Sequence, residues 1–197
     1  MTQKIRKTNI IKLSLFLLII QSYALATSDY LWPTDASKTL TAVFGEIRPF
    51  RYHTGIDIRT FGENGHKIYA IEDGYISRIL VTTTGYGKTL YLKMKDGNTS
   101  VYAHLDRFNK KLELIKKKIQ SECNCYSFDE SFLPNQIPVK KGEVIGYTGD
   151  TGTISGPHLH FEIRNSKGVP FNPLISNYKI KDTIAPVPEK IIFSNTD

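Results

Sequence analysis

Cysteine is nearly missing from this chain: Cys123 and Cys125 are the only two among 197 residues. That count excludes a disulfide framework, and two thiols alone cannot complete a tetrahedral zinc site. A bridge across their single intervening residue would be strained by ordinary disulfide geometry, so the pair is expected to have no catalytic role. No cysteine stands near residue 26, so nothing suggests a lipid anchor there. A strong excess of one charge is also missing. The formal balance is 26 basic to 19 acidic residues, but Lys4, Arg6, Lys7 and Lys12 fall in the first twelve. Without those four the balance is 22 to 19, a net charge of +3. So small a charge gives no reason to expect nucleic acid as a partner, although it would tolerate an anionic envelope surface. Finally, the apolar run at 13–20 (LSLFLLII) is far shorter than the roughly 20 residues that span a bilayer, so no stable membrane span is expected.

What is present at the start is a basic segment, that short apolar run, and Ala24-x-Ala26. Together they read as a secretory signal cleaved after Ala26. The product is expected to be exported and to work in the periplasm, outside the cell or in the cell envelope. Residues 27–180 then form one domain, a length that supports a sizeable core. Residues 181–197, with Pro186, Pro188 and a strand-like KIIF, read as a tail or the start of a further segment.

From Thr39 onward the pattern is that of an all-β protein. KIYAI (67–71), GYISRILV (74–81), KTLYLKMK (88–95) and TSVYAHL (99–105) are rich in Ile, Val, Tyr and Thr, and glycine-containing turns separate them. Short strands at this spacing predict an antiparallel sheet folded on itself, with a hairpin turn at Asp96–Asn98. One stretch differs. Phe108, Leu112, Ile115 and Ile119 recur at helical spacing, so an inserted surface helix is expected over about 107–122, with Asp106 as its cap. Its lysines, 110, 111 and 116–118, are read as solvated.

Histidine is scarce as well, and its placement carries the chemistry. Four of the five sit in tight motifs: His53 with Asp57 in HTGID, His104 in YAHLD, and His158 with His160 in GPHLH. His66, in GENGHK, has no obvious partner and is read as solvated. HLHFEIR has strand composition. On a strand, residues two apart share a face about 6.6 Å apart, so His158 and His160 can converge on one volume. His53 and Asp57 cannot meet at one ion on a straight strand, where they would lie about 13 Å apart. A bend at Thr54–Gly55, with His53 on a loop and Asp57 opening a strand, resolves this. Two neutral imidazoles and one carboxylate suit Zn²⁺ with an open fourth position for water. The other two histidines could then move protons and stabilise a developing oxyanion.

Residues 40–175 resemble the lysostaphin-like (LytM-type) peptidoglycan zinc endopeptidases. The resemblance rests on HTGID (53–57), YAHL (102–105), VKKGEVIGYTGDTG (139–152) and GPHLHFEIR (156–164), followed by Asn172-Pro173-Leu174. It implies a LytM-type antiparallel sheet or sandwich core, zinc held by His53, Asp57 and His160, and His104 and His158 as the catalytic pair. Which of that pair is the base does not follow. The activity implied is hydrolysis of peptide bonds in peptidoglycan stem peptides or cross-links. The alternative is a catalytically inactive LytM-type regulator of other wall hydrolases. Two departures stand out. Ile154 occupies a position where the family often has serine, and the segment 107–138 is long, so it is expected to wall the substrate groove.

Overall fold

The structure, a computed structural model, describes residues 29–49, 51–134, 136–176 and 178. The signal expected at 1–26 and the tail expected at 181–197 lie outside the described residues. No helix among the described residues is long and apolar enough to cross a membrane.

The chain begins with β1 (Leu40–Ala42), the short pair β2 (Ile47–Arg48) and β3 (Arg51–Tyr52), then β4 (Ile56–Arg59) and β5 (Lys67–Tyr69). The longer strands follow as β6 (Gly74–Val81), β7 (Lys88–Met94), β8 (Thr99–Ala103) and β9 (Leu105–Phe108). After the helix come β10 (Phe128–Ser131), β11 (Pro138–Val139), β12 (Val144–Thr148), β13 (His158–Arg164) and β14 (Pro170–Phe171). The main sheet runs β1-β4-β13-β8-β7-β6-β10, with β11 against β6 and β14 against β13. A second sheet orders β5-β12-β9, and β2 and β3 form a separate hairpin. The expected all-β antiparallel architecture is what folds. The predicted hairpin joins β7 and β8 around Asp96–Asn98.

Period-two alternation explains how the sheets pack. On β13, Leu159, Phe161 and Ile163 have no exposed surface and belong to the apolar core. His158, His160, Glu162 and Arg164 take the opposite face, as successive strand residues must. Ile56 and Ile58 of β4 turn to the core, and Asp57 between them does not. Ile68 from β5, Leu105 and Phe108 from β9, and Ile145 from β12 complete the same cluster from the second sheet. Both sheets are therefore held by one shared core.

The helix starts later than the spacing predicts. It spans Lys110–Cys123, and Asn109, not Asp106, caps it by accepting the Leu112 amide at 2.9 Å. Residues 105–108 are drawn into β9 because their backbone pairs with β12. Phe108 thus reaches the core from a strand, and Leu112 is the buried contact of the helix itself. The cysteines differ from expectation too: Cys123 and Cys125 are bridged. Asn124 between them adopts the left-handed conformation at φ 49°. This closes the Cα–Cα distance to 5.2 Å, inside the range a disulfide accepts.

Candidate metal centre

β13 lies between β4 and β8, and the pairing register puts His160 opposite Asp57 on one side and Ala103 on the other. Directly opposed residues point to the same face, so Asp57 and His160 meet without further help. His53 arrives from the loop ahead of β4, and its backbone amide donates to the Glu46 carbonyl at 2.9 Å. The bend at Thr54–Gly55 is present, but it is close approach that requires glycine there. A Cβ at Gly55 would stand 2.3 Å from the Phe161 carbonyl oxygen, a backbone atom that cannot swing away. Gly55→Ala is therefore expected to destabilise the fold by about 1–3 kcal/mol. A thermal melt within a degree of wild type would count against this packing argument.

The three side chains form a nearly equilateral triangle. His53 Nε2 is 3.0 Å from His160 Nδ1 and 3.1 Å from Asp57 Oδ1, and His160 Nδ1 is 2.9 Å from Asp57 Oδ1. All three residues are buried. A tetrahedral ion with bonds near 2.0–2.1 Å needs ligand atoms about 3.3 Å apart, close to these values. The outer partners fix which nitrogens face inward. His53 Nδ1 lies 2.8 Å from the Val43 carbonyl oxygen, and His160 Nε2 lies 2.9 Å from Glu162 Oε1. Each partner is an acceptor, so each of those nitrogens carries the proton, and the inward nitrogens present lone pairs.

Electrostatics point the same way. Burial opposes the charge on Asp57, but the adjoining His160 and His53 outweigh it and hold its pKa far below the carboxylate range. Burial disfavours a charged His160, yet Asp57 and Glu162 prevail and raise its pKa. The pocket draws positive charge to this point. Three lone pairs facing one another would repel, and a single cation resolves the repulsion. The donor set fits a divalent metal.

Glu162 is the outer residue that the motif reading passed over. It has no exposed surface, yet both carboxylate oxygens are engaged: Oε1 accepts from His160, Thr54 and Tyr86, and Oε2 accepts from Arg164 Nε at 2.6 Å. Burial resists its charge, and these donors hold the pKa down to about 2. Spacing could have found it, because it lies two residues beyond His160 on one strand face. Tyr86 comes from a distant segment, Arg48 and the Val43 carbonyl come from the stretch just ahead of β4, and no local signal marks them. Arg48 Nη2 donates to Asp57 Oδ2 at 2.7 Å, which directs the other carboxylate oxygen to the triangle.

Two further imidazoles border the same volume. The His104 and His158 ring centroids are 4.9 Å apart, and His104 lies 5.9 Å from His160. His104 Nδ1 pairs with the Thr151 carbonyl and His158 Nδ1 with the Gly156 carbonyl, each at 2.9 Å, which leaves both Nε2 atoms unprotonated in the neutral rings. Burial pushes the His104 pKa down to about 4, so this ring is neutral at neutral pH. Its backbone is left-handed at φ 61°, a conformation costly for a non-glycine residue and frequent where function demands it. His104 occupies the single residue between β8 and β9, where the chain crosses from one sheet to the other.

The five side chains line or border a cleft of about 610 Å³ whose far wall includes Thr153, Ile154 and Ser155. Ile154 thus stands at the cleft even without the serine hydroxyl. The expectation for 107–138 does not hold, since none of the described residues of that segment lines the cleft. Instead β10 extends the main sheet beside β6, at the edge opposite β1. His66 stays outside the cluster, half-buried, with Nε2 3.9 Å from Glu63.

The class that this fold and centre define is the metallopeptidases. Within it, the chain belongs to peptidase family M23, whose family model matches residues 51–121 and 128–173. The residues between the matched segments, 122–127, hold the Cys123–Cys125 bridge. The chain is similar to the DD-carboxypeptidase/endopeptidase Mpg of Neisseria meningitidis, at 34% identity over 128 residues, 65% of this chain and 23% of that protein. It is also similar to the glycyl-glycine endopeptidase ALE-1 of Staphylococcus capitis, at 32% over 111 residues, 56% of this chain and 24% of that one. It therefore spans about a quarter of the length of these curated relatives. Among solved structures, a zinc containing peptidase from Vibrio cholerae shares the fold with TM-score 0.53 and 24% identity, over 72% of this chain and 37% of that one.

Proposed function

We propose that this chain is an exported zinc endopeptidase that hydrolyses peptide bonds in peptidoglycan stem peptides or cross-links. The observation that carries the reading is the triangle of inward lone pairs from His53, Asp57 and His160, bordered by the imidazoles of His104 and His158. Family membership and the names of the relatives support it, and the substrate is taken from those names.

His53, Asp57 and His160 would hold the metal. A zinc ion there supplies Lewis acidity that brings the pKa of water from near 16 to about 7. The rest falls to the protein. The cleft sets an amide carbonyl of the substrate beside the triangle. His104, neutral because it is buried, accepts the proton released as water adds to the carbonyl carbon. The same proton is delivered to the departing nitrogen as the C–N bond breaks, so one water is consumed and a carboxylic acid and an amine result, which ionise to a carboxylate and an ammonium. His158, across from His104, is assigned to the oxygen on which negative charge develops, a role that its Nε2 takes only when it carries a proton. Arg48 keeps Asp57 oriented throughout. All five positions are retained and converge, which supports catalysis over the role of an inactive regulator.

The decisive assay adds protein with one equivalent of zinc to purified sacculi and counts new amino termini. Release is expected; a chelator should stop it, and fresh zinc should restore it. Undiminished release after chelation would remove the metal from the reaction, and no release under any condition would end the hydrolase reading.

A further inference from the structure

We propose that Arg51 reads a carboxylate of the substrate close to the amide that is cut, so that the site takes anionic peptides in preference to neutral ones. This rests on the peptidase reading above and names the substrate class for the same site.

The argument begins with the hairpin of β2 and β3, which borders the cleft. Arg48 and Arg51 are opposed residues in its ladder, so their side chains leave the same face. That face looks toward the metal triangle, because Arg48 reaches Asp57 from it. Like charges directly opposed across a ladder are unfavourable, so the arrangement calls for anions nearby. Arg48 has one in Asp57. Arg51 has none: among the described residues, no carboxylate lies within ion-pair distance of it. The other acid in the cleft lining, Glu46, is turned back on its own loop, where Oε2 accepts the Val43 amide at 3.4 Å.

The charge count around the cleft is thus Arg48 and Arg51 against Asp57 and Glu46, before a divalent ion adds its own charge. With Arg48 committed to Asp57, Arg51 is the exposed cation left facing the substrate volume. A guanidinium presents a planar fork of donors that matches a carboxylate in two parallel hydrogen bonds. Peptidoglycan stem peptides offer such groups in two forms, a chain-terminal α-carboxylate or a side-chain carboxylate. Glycine bridges offer neither within the chain. The preference expected is about tenfold, the size of one charge-assisted contact at a partly wet site. It should weaken as salt is added.

The test uses the zinc-loaded full chain and a purified cross-linked stem-peptide dimer in three preparations: native, amidated at the chain terminus, and amidated at the side chains. kcat/KM is measured on each. In parallel, Kd is measured by calorimetry on zinc-loaded His104→Ala protein with and without Arg51→Gln. Native dimer should be cut and bound about tenfold better than one of the amidated forms, and which form loses the advantage identifies the carboxylate. Arg51→Gln should bring that ratio to near one, and Arg51→Lys should keep part of it. If wild type treats all three alike, or the preference survives in Arg51→Gln, the assignment is wrong. If none of the three is cut, it is the peptidase reading that fails, and the ratio of Kd values still decides Arg51.

Discussion

His160→Ala is expected to abolish metal binding and hydrolysis together. His160 supplies one corner of the triangle, and it also bridges two buried carboxylates, with Nδ1 at Asp57 and Nε2 at Glu162. Alanine removes a proposed ligand and the imidazole that stands between those negative charges. Removing an outer partner of a metal ligand costs roughly 10–100-fold in affinity or activity, and loss of the ligand itself should exceed that. The measurement is bound zinc per chain after dialysis, beside amino-terminus release from sacculi, with a circular dichroism spectrum to show that the sheet is intact. A folded variant that kept about one zinc per chain would move the centre elsewhere.

The second large effect is expected at His104, and it should separate what the first joins. His104 forms no edge of the triangle; its Nδ1 is tied to the Thr151 carbonyl and its ring faces His158. His104→Ala should keep zinc and lower the rate by roughly 10²–10⁴, the usual worth of a positioned acid–base group. The fall should lie in kcat, because substrate still meets the same cleft. Wild-type turnover by this variant would take proton transfer away from His104. Parallel loss of zinc would make it a ligand.

How much of this could be read beforehand depended on the range of the interaction. β13 begins and ends where HLHFEIR does, because alternation on a central strand is local information. The bend between His53 and Asp57 was also deducible, since no straight strand lets both reach one ion, but the reason for Gly55 was not. That reason is the Phe161 carbonyl, about a hundred residues away, which leaves no room for a Cβ. Asp106 resembles a helix cap locally, yet backbone pairing of β9 with β12 claims the residues after it and hands the cap to Asn109. The cysteine bridge escaped for a related reason: the distance rule assumed an ordinary backbone, and Asn124 is left-handed. Glu162 was within reach of the same two-residue rule that paired His158 with His160. Arg48 and Arg51 were not, since their relation to the centre exists only after a hairpin folds over it.

The place of His104 between β8 and β9 has a consequence for how the molecule can fail. Asp57 and His160 sit on adjacent strands of the main sheet, and His53 on the loop leading into one of them, so the three proposed ligands belong to a single layer. His104, the proposed proton acceptor, hangs instead on the seam between two layers, and its alignment with those ligands is only as good as their mutual fit. A change that let one layer slip against the other would leave a loaded but idle protein. Turnover is therefore a finer gauge of the core than metal occupancy can be.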